Sequence, residues 1–279
     1  MRKGQIAIVA GGLVLVGLLY FAGKTVLPKK EHTAAHTTES ISFEQYEQLR
    51  TEQLPEAEKS AYTQLQQQMK AVADGDTATL RPLLQQASGF WHKVGNEPLS
   101  AYYMYRLAQV APEKHAYIHA GDDFVNAFKS GADSIISNNL ITFALRSYEE
   151  ALQKFGDDVE VKIKLAEVYV QGSPEPMKGI EMLRKLSDSL PDNVPALLAL
   201  GRLSIQSGQY DKAKERLRKV LLLEPENTEA MYFMAISEAQ LGNNQEAIRF
   251  FEMCKLLVKN EEFSKEIDVI VNDLKNKKN

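Results

Sequence analysis

The residues best spaced for chemistry are two histidines and two aspartates between positions 115 and 123. His115 and His119 are four residues apart, which places them on adjacent turns of one helix face, and Asp122 and Asp123 follow about one turn later. Imidazole and carboxylate groups are ligands that Zn²⁺ takes at hydrolytic centres. No further ligand is fixed by the sequence. A His-dependent metal hydrolase therefore remains one hypothesis, and an exposed polar helix face is the alternative.

Other signatures of catalysis are absent from the sequence. It has no HExxH, CxxC or GxSxG motif and no glycine-rich phosphate loop. Cys254 is the only cysteine, which excludes internal disulfides and any metal site built from several cysteines. We therefore expect a protein that is not an enzyme and that needs no cofactor.

The charge of the chain is unevenly distributed. Residues 1–30 hold five of the 33 Lys and Arg residues and no acidic residue, so residues 31–279 carry a net charge of −9. Because an acidic surface repels phosphate backbones, this composition argues against a nucleic-acid partner.

Residues 4–23 contain no charged side chain. A helix of this length spans about 30 Å, the thickness of a hydrocarbon core. A cleaved signal peptide is the first alternative, but Tyr20 and Phe21 stand where a small-residue cleavage pattern is required. A lipoprotein signal would need a nearby cysteine, and a buried core helix is disfavoured because no polar face is present. The sequence therefore predicts an uncleaved transmembrane anchor over residues 1–27.

The orientation of this single span follows from its flanks. Arg2 and Lys3 precede it, and Lys24, Lys29 and Lys30 follow it, so the positive-inside rule gives nearly equal counts. A large acidic domain can be translocated regardless of its charge. We therefore expect the N-terminus in the cytoplasm and an extracytoplasmic, periplasmic body at the inner (plasma) membrane. A body that faces the cytoplasm is the alternative.

The segment after the anchor changes from linker to helices. Residues 28–41 have almost no large apolar side chain, which is typical of a flexible linker. In the N-terminal helical segment, residues 42–78, Ser42 and Gln45 form a capping-box pattern that opens a helix to about Leu54. Pro55 then occupies the first turn of a second helix, which runs to about Ala73. The predicted apolar face of this second helix consists of Ala61, Leu65, Met69 and Val72.

A 34-residue repeat organises the remaining chain. Gly179, Ala213 and Ala247 are 34 residues apart, and large apolar residues recur four positions after each of them. Small residues at such positions let two helices touch closely, and the large residues fill the next turn. Gly208 and Gly242 recur at the turn between helices. Segments 192–225 and 226–259 are therefore each predicted to form a helix, a glycine turn and a second helix.

This pattern resembles the tetratricopeptide repeat (TPR) family. VPALLALGRLSIQSGQYDKAKERLRKVLLLEPEN matches the family pattern, with Leu217 in place of an aromatic residue, and TEAMYFMAISEAQLGNNQEAIRFFEMCKLLVKN matches it with Ala235 in place of Gly. The resemblance implies an all-α TPR solenoid of about five repeats over residues 79–259, closed by a capping helix over 260–279. Separately, the helical spacing of Trp91, Tyr102, Tyr103 and Tyr105 predicts an aromatic cluster in the core between repeats, with an outward-pointing Tyr103 as an open alternative.

In this family the first helix of each repeat lines a concave groove. Such a lining mixes aromatic, aliphatic and polar groups, which suits an extended peptide or a partner helix. The alternative is that several of these side chains only coat a solvated surface. The groove positions transferred from the family are Lys164, Glu167, Gln171, Leu198, Arg202, Gln206, Tyr232, Phe233, Ile236 and Gln240.

One role within the family is disfavoured. Members that clamp the acidic C-termini of chaperones carry Asn, Lys and Arg at fixed groove positions, because a carboxylate clamp needs charged donors. Here those positions hold Pro195, Ala199, Glu229 and Phe233. We therefore expect a membrane-anchored scaffold that binds another protein or peptide, either alone or as part of a membrane complex. The expected role is in the assembly or export of envelope proteins.

Overall fold

The structure is a computed structural model that describes residues 41–131 and 133–276. The predicted anchor over residues 1–27 and the predicted linker up to Ser40 lie outside the described residues. Within the described ranges, none of the helices is both long enough and apolar enough to cross a membrane.

The described residues form thirteen α-helices and no β-strand. Consecutive helices pack against each other along this part of the chain. The helices are α1 (Phe43–Glu52), α2 (Glu56–Ala71), α3 (Thr77–Lys93), α4 (Glu97–Val110), α5 (Lys114–Lys129), α6 (Ser137–Phe155), α7 (Val159–Gly172), α8 (Pro176–Ser189), α9 (Val194–Gln206), α10 (Tyr210–Leu223), α11 (Thr228–Gln240), α12 (Asn244–Leu257) and α13 (Glu261–Asn276).

Local sequence signals begin and end the repeat helices. Asn193 and Asn227, 34 residues apart, each accept a hydrogen bond from the backbone N–H three residues later, and so cap α9 and α11. Gly208 and Gly242 follow the same two helices with φ of 71° and 82°. Because residues with a Cβ rarely adopt this backbone conformation, glycine at both positions permits the tight turn into α10 and α12.

The hydrophobic core differs between the two ends of the described chain. A single cluster of buried side chains runs from Phe43 in α1 to Tyr169 in α7. Three smaller clusters follow, each formed where one helix pair meets the next. In the last of them, Ile267, Val271 and Leu274 of α13 pack against α11 and α12. The last described helix is therefore amphipathic and packs its apolar side against the preceding helix pair.

The predicted first helix is confirmed, and the second is corrected in part. Ser42 accepts a hydrogen bond from the Gln45 N–H, and the Gln45 side chain accepts one from the Ser42 N–H, so the capping box is present. In α2, Leu65 is buried and Met69 packs against the core as predicted, but Ala61 is exposed and the neighbouring Tyr62 is fully buried. The reason is a long-range contact, because the Tyr62 ring packs on Trp91 of α3 at 4.7 Å between centroids. Pro55 precedes α2 and does not lie in its first turn.

Tyr103 is likewise buried, at 1% exposure, together with Tyr102 and Tyr105. Its hydroxyl donates to Glu47 of α1 at 2.8 Å and lies 2.8 Å from the Tyr62 hydroxyl of α2. The outward alternative is therefore wrong, because the two helices that precede the repeats cover this side of α4.

Candidate functional site

The ten predicted groove residues lie on three helices, α7, α9 and α11, and none of them is buried. Helix α9 packs against both α7 and α11, so the three helices are neighbours on one side of the stack. Helix α5 joins this row through a contact between side chains of α5 and α7 described below. We call the exposed side of α5, α7, α9 and α11 the groove face.

The contact between α5 and α7 is an ion pair with a buried phenol beneath it. Lys164 Nζ lies 2.9 Å from Asp122 Oδ1 and 3.1 Å from Oδ2. The Tyr148 hydroxyl of α6 donates to the same Oδ1 at 2.6 Å. Burial, followed by the bond to Asp122, raises the pKa of the Tyr148 hydroxyl, so the phenol remains a proton donor at neutral pH.

A cavity of about 330 Å³ opens beside this ion pair on the groove face. Among the predicted residues it is lined by Lys164, Glu167 and Gln171. The prediction did not include the α5 part of its lining, which comprises Asp122, Val125, Asn126 and Lys129. The signal that could have found these residues is Gly121, a small residue at the position that Ala166 occupies in α7.

Arg202 joins three successive groove helices. Its guanidinium pairs with Glu167 of α7 and lies 3.3 Å from Glu229 of α11. Each of the three side chains keeps at least a quarter of its surface exposed, so screening by water limits the free energy of each pair. The network places Arg202 beside two carboxylates, so most of the charge on this part of the groove face is paired.

The apolar groove residues also contribute to the hydrophobic packing between helices. Leu198 and Phe233 contact the cluster between α9 and α11, and Ile236 contacts the last cluster. The Tyr232 ring lies 5.8 Å from that of Phe251 and 6.2 Å from that of Phe263 in α13. Tyr232 therefore stabilises the capping helix in addition to its place on the groove face.

The histidine hypothesis is not supported by the arrangement of α5. In the part of the chain that the structure describes, no three His, Cys, Asp or Glu side chains are grouped so that they could hold a metal ion. His115 Nε2 lies 3.2 Å from Glu113, and Asp122 is occupied by Lys164 and Tyr148. Burial raises the pKa of the Asp123 carboxyl, and the neighbouring Asp122 raises it further while His119 lowers it. In this structure His115 and His119 are exposed, and Asp122 takes part in the contact between α5 and α7.

Cys254 has the packing role that its repeat position indicates. The side chain is fully buried, and burial raises the pKa of the thiol to about 11. A neutral, inaccessible thiol is a poor nucleophile.

A second polar site, which the sequence did not indicate, lies where α1 and α2 meet α4. Glu47 is 8% exposed and accepts hydrogen bonds from the Tyr62 hydroxyl at 2.6 Å, the Tyr103 hydroxyl at 2.8 Å and Gln66 Nε2 at 2.5 Å. No Lys or Arg of the described ranges forms an ion pair with it. The adjacent cavity of about 720 Å³ is also lined by Arg106, whose guanidinium lies 5.3 Å from the Tyr103 ring centroid. These three donors hold the Glu47 carboxylate in place and so connect α1 to α2 and α4.

Known proteins resemble this chain in sequence and in structure. A curated relative, the CTR9 homolog of Arabidopsis thaliana, is 29% identical over 163 residues. The match covers 58% of this chain and 13% of that protein, so the chain spans only a small part of the relative.

Two solved structures superpose on part of this chain. A tetratricopeptide repeat protein from Parabacteroides merdae superposes with a TM-score of 0.50 at 19% identity, over 71% of this chain and 74% of that one. TTC0263, a TPR protein of Thermus thermophilus, has a TM-score of 0.49 at 16% identity, over 70% of this chain and 98% of its own.

The sequence pattern of the tetratricopeptide repeat family matches residues 178–222 and 205–260. These ranges contain the 34-residue periodicity and the helix pairs from α8 to α12. Residues 178–260 of this chain are therefore tetratricopeptide repeats.

Proposed function

We propose that this protein is a non-enzymatic scaffold that binds a segment of another protein on its groove face. The observation that carries the proposal is the contrast between side-chain environments on this face. Its charged residues are fixed by pairs that cross between helices, such as Lys164 with Asp122 and Arg202 with Glu167, whereas neighbouring polar residues stay open to solvent. A fixed surface with free polar groups loses little conformational entropy when a partner binds.

The proposed partner is a protein or peptide and not a nucleic acid. Residues 31–279 carry a net charge of −9, and Lys164 and Arg202 of the groove face are paired with carboxylates. A phosphate backbone would find little attraction on such a surface.

We further propose that residues 4–23 anchor the protein in a membrane through a single span. The support is the length of the uncharged run, which matches a hydrocarbon core. In this proposal the N-terminus is cytoplasmic, and the repeats lie outside the cytoplasm of a bacterial cell and assist assembly or export of envelope proteins. The anchor would keep the groove face close to partners in the same membrane.

Site-specific photocrosslinking in native membranes tests the binding proposal. A photoreactive phenylalanine analogue replaces Gln171 or Gln206 on the groove face and, as matched controls, the exposed Gln153 of α6 or Gln245 of α12. We expect a discrete crosslinked partner from the groove positions and not from the controls. Equal products from both sets, or products from the controls alone, would contradict a groove interface.

Cysteine labelling tests the proposed orientation. Cys254→Ala removes the buried thiol at a position where the repeat favours a small residue, and Lys212→Cys then adds an exposed one on α10. We expect an impermeant maleimide to label this variant in intact cells. Labelling only after permeabilisation would assign the repeats to the cytoplasm. The unmodified chain is the control, because its buried thiol should stay unlabelled in both conditions.

A further inference from the structure

A cleft between α8 and α10 contains two guanidinium groups. Helix α9 contacts both of these helices, and its last two turns line the cleft, which has a volume of about 260 Å³. Arg184 of α8 and Arg216 of α10 line it from opposite sides of α9, and it reaches the groove face at Gln206. We call this site the arginine cleft. It differs from the groove face because its charged residues belong to the second helices of two successive repeats.

Neither guanidinium of the arginine cleft has an acidic partner. Nine arginines lie in the described ranges, of which four form ion pairs with carboxylates and two others lie over aromatic rings. The remaining three, Arg184, Arg216 and Arg218, pair with no Asp or Glu of residues 41–131 and 133–276. Two of these three line the same cleft, and no acidic residue contributes to its described lining.

Ser204 of α9 holds one of the two guanidinium groups in place. Its Oγ accepts a hydrogen bond from Arg216 Nη1 at 2.5 Å and donates to the Leu200 carbonyl at 2.8 Å. Burial lowers the pKa of the Arg216 guanidinium, Glu215 opposes this shift, and the charge of Arg184 adds to it. Both arginines stay protonated at neutral pH, so two like charges face one cleft without a counterion. A bound anion would relieve this repulsion.

The corresponding cleft of the next repeat, between α10 and α12, has a different charge pattern. Thirty-four residues after Arg184, Ser204 and Arg216, its lining has Arg218, Glu238 and Phe250. Glu238 is 6% exposed, and a further arginine of this lining, Arg249, pairs with Glu246 at 2.9 Å. The uncompensated positive charge is therefore a feature of the arginine cleft and not of the repeat architecture.

The charge and the donors of the arginine cleft select the class of anion. A phosphate monoester carries a charge of about −1.5 to −2 at pH 7 and three strong acceptor oxygens. Each guanidinium has five N–H donors, which match such oxygens in pairs. A carboxylate or a phosphodiester brings one negative charge, so either would leave one guanidinium uncompensated. A dianion balances both.

We propose that Arg184 and Arg216 bind a phosphate monoester group in the arginine cleft. The group belongs either to a phosphorylated side chain of another protein or to a small phosphorylated molecule, and the experiment below distinguishes the two sources. Nucleic acid is a different case. It presents phosphodiesters along its length, which the net charge of −9 on residues 31–279 repels, whereas a single dianion contacts the cleft alone.

Calorimetric titration of the full chain in a nonionic detergent at pH 8 tests the charge of the ligand. The probes are inorganic phosphate, which is a dianion at this pH, and dimethyl phosphate, which is a monoanion. We expect inorganic phosphate to bind at least tenfold more tightly. Equal affinity for the two probes, or no detectable binding of either, would overturn the proposal.

Variants of the cleft locate the site. We expect Arg184→Gln and Arg216→Gln each to weaken phosphate binding about tenfold to a hundredfold, as loss of a charge-assisted hydrogen bond requires. Ser204→Glu retains both arginines but introduces the carboxylate of the next repeat, and it should abolish binding. Arg218→Gln, at the position equivalent to Arg184, is the matched control and should leave Kd unchanged.

The fold of each variant is checked by circular dichroism. Arg184 is exposed, so Arg184→Gln should keep the helix content of the unmodified chain and isolates the effect on binding. Unchanged phosphate affinity in Arg184→Gln and Arg216→Gln, or an equal loss in Arg218→Gln, would show that the arginine cleft is not the site.

A peptide probe identifies the source of the phosphate. The probe is Gly-phosphoserine-Gly with blocked ends, and its unphosphorylated form is the control. Tighter binding of the phosphopeptide than of inorganic phosphate, lost in Arg184→Gln, would support a phosphorylated side chain as the ligand. The reverse order, with the same loss, would support a small phosphorylated molecule. Equal binding of the phosphorylated and unphosphorylated peptides would contradict recognition of the phosphate.

Discussion

The helices α1–α6 and the helices α7–α13 bury their apolar surface in different ways. In α1–α6, aromatic rings from distant parts of the chain meet in one cluster, in which Phe43 of α1 stacks on Tyr102 of α4 and contacts Phe143 of α6 edge-on. In the cluster between α9 and α11, the buried residues are Leu, Val, Met and Ala at repeated positions, and none is aromatic. The first region depends on contacts of long sequence separation, and the second on contacts between adjacent repeats.

This difference predicts different cooperativity. A solenoid stabilised by neighbouring repeats loses structure locally when one interface is weakened. A cluster that joins α1 to α4, α5 and α6 has no such boundary, because removal of one ring affects several helices at once. The four predictions below test this contrast, from the largest expected effect to the smallest.

The largest effect is expected from Phe43→Ala. Phe43 is 1% exposed and contacts three aromatic rings from three helices, so its removal should cost about 3–5 kcal/mol of unfolding free energy. Hydrogen exchange should increase across α1–α6. Phe251→Ala is the matched variant in the repeats, and its increase should be confined to α11–α13. An equal spread of increased exchange in the two variants would remove the distinction between the regions.

Glu47→Ala tests the polar site that joins α1 and α2 to α4. It leaves the buried hydroxyls of Tyr62 and Tyr103 without their carboxylate acceptor, at an expected cost of about 2–3 kcal/mol by urea denaturation. Glu47→Gln retains an oxygen acceptor and should cost less than half as much. Glu52→Ala, at an exposed position of the same helix, is the control and should change stability by less than about 0.5 kcal/mol. A null result for Glu47→Ala would show that the aromatic cluster alone holds α1.

Two glycines of the repeats distinguish backbone contact from side-chain contact. A Cβ at Gly179 would lie 2.2 Å from the Ala166 carbonyl oxygen, so Gly179→Ala must separate α7 from α8 and should cost about 1–3 kcal/mol. A Cβ at Gly201 would meet only the end of the Leu217 side chain, at 3.0 Å. Gly201→Ala should be close to neutral, because a gain in helix propensity of about 1 kcal/mol offsets the small shift of Leu217. Equal losses of unfolding free energy in urea denaturation would contradict the distinction between a backbone contact at Gly179 and a side-chain contact at Gly201.

The smallest effect is expected at Asp123 and depends on pH. Burial raises the folded-state pKa of this carboxyl above its unfolded value, so its contribution to stability is present below the unfolded pKa and is lost as pH rises through the folded pKa. Asp123→Asn should therefore increase the melting temperature at pH 7 more than at pH 3. Asp74→Asn, in an exposed turn, is the control and should show no such difference. The groups that face Asp123 are His119, Asp122, Glu97 and His92. A larger gain at pH 3 would contradict the assigned direction.

The regular repeats could be predicted from the sequence because their interfaces are built from residues close in the chain. The 34-residue recurrence of Gly179, Ala213 and Ala247 marks the same close helix contact each time, and turn glycines mark the same break. The positions of Gln171, Gln206 and Gln240 on one face follow from that register. Whether this face binds a partner remains a prediction.

The packing of α1 and α2 could not be predicted in the same way. Helical periodicity predicted Ala61 on the apolar face of the second helix, but Ala61 is exposed and the ring of Tyr62 packs on Trp91 instead. The chain also pairs Arg50 with Asp133 and bonds Asn139 to the Ile41 carbonyl, across 83 and 98 residues. No local pattern encodes partners at such separations. The ion pair between Asp122 and Lys164 was missed for the same reason, although each residue had been noted by itself.

The sequence by itself determined the helical class, the repeat length, the turns and caps, and the small residues at which the repeat helices meet. Each of these depends on backbone conformation or on neighbours within about 35 residues, so the residue pattern is sufficient. The tertiary structure decided that Tyr62 and not Ala61 of α2 is buried, how Glu47 is satisfied without a cation, and which groove charges neutralise each other. These outcomes depend on side chains brought together from distant helices, because a buried ring or carboxylate takes its environment from whichever elements pack around it.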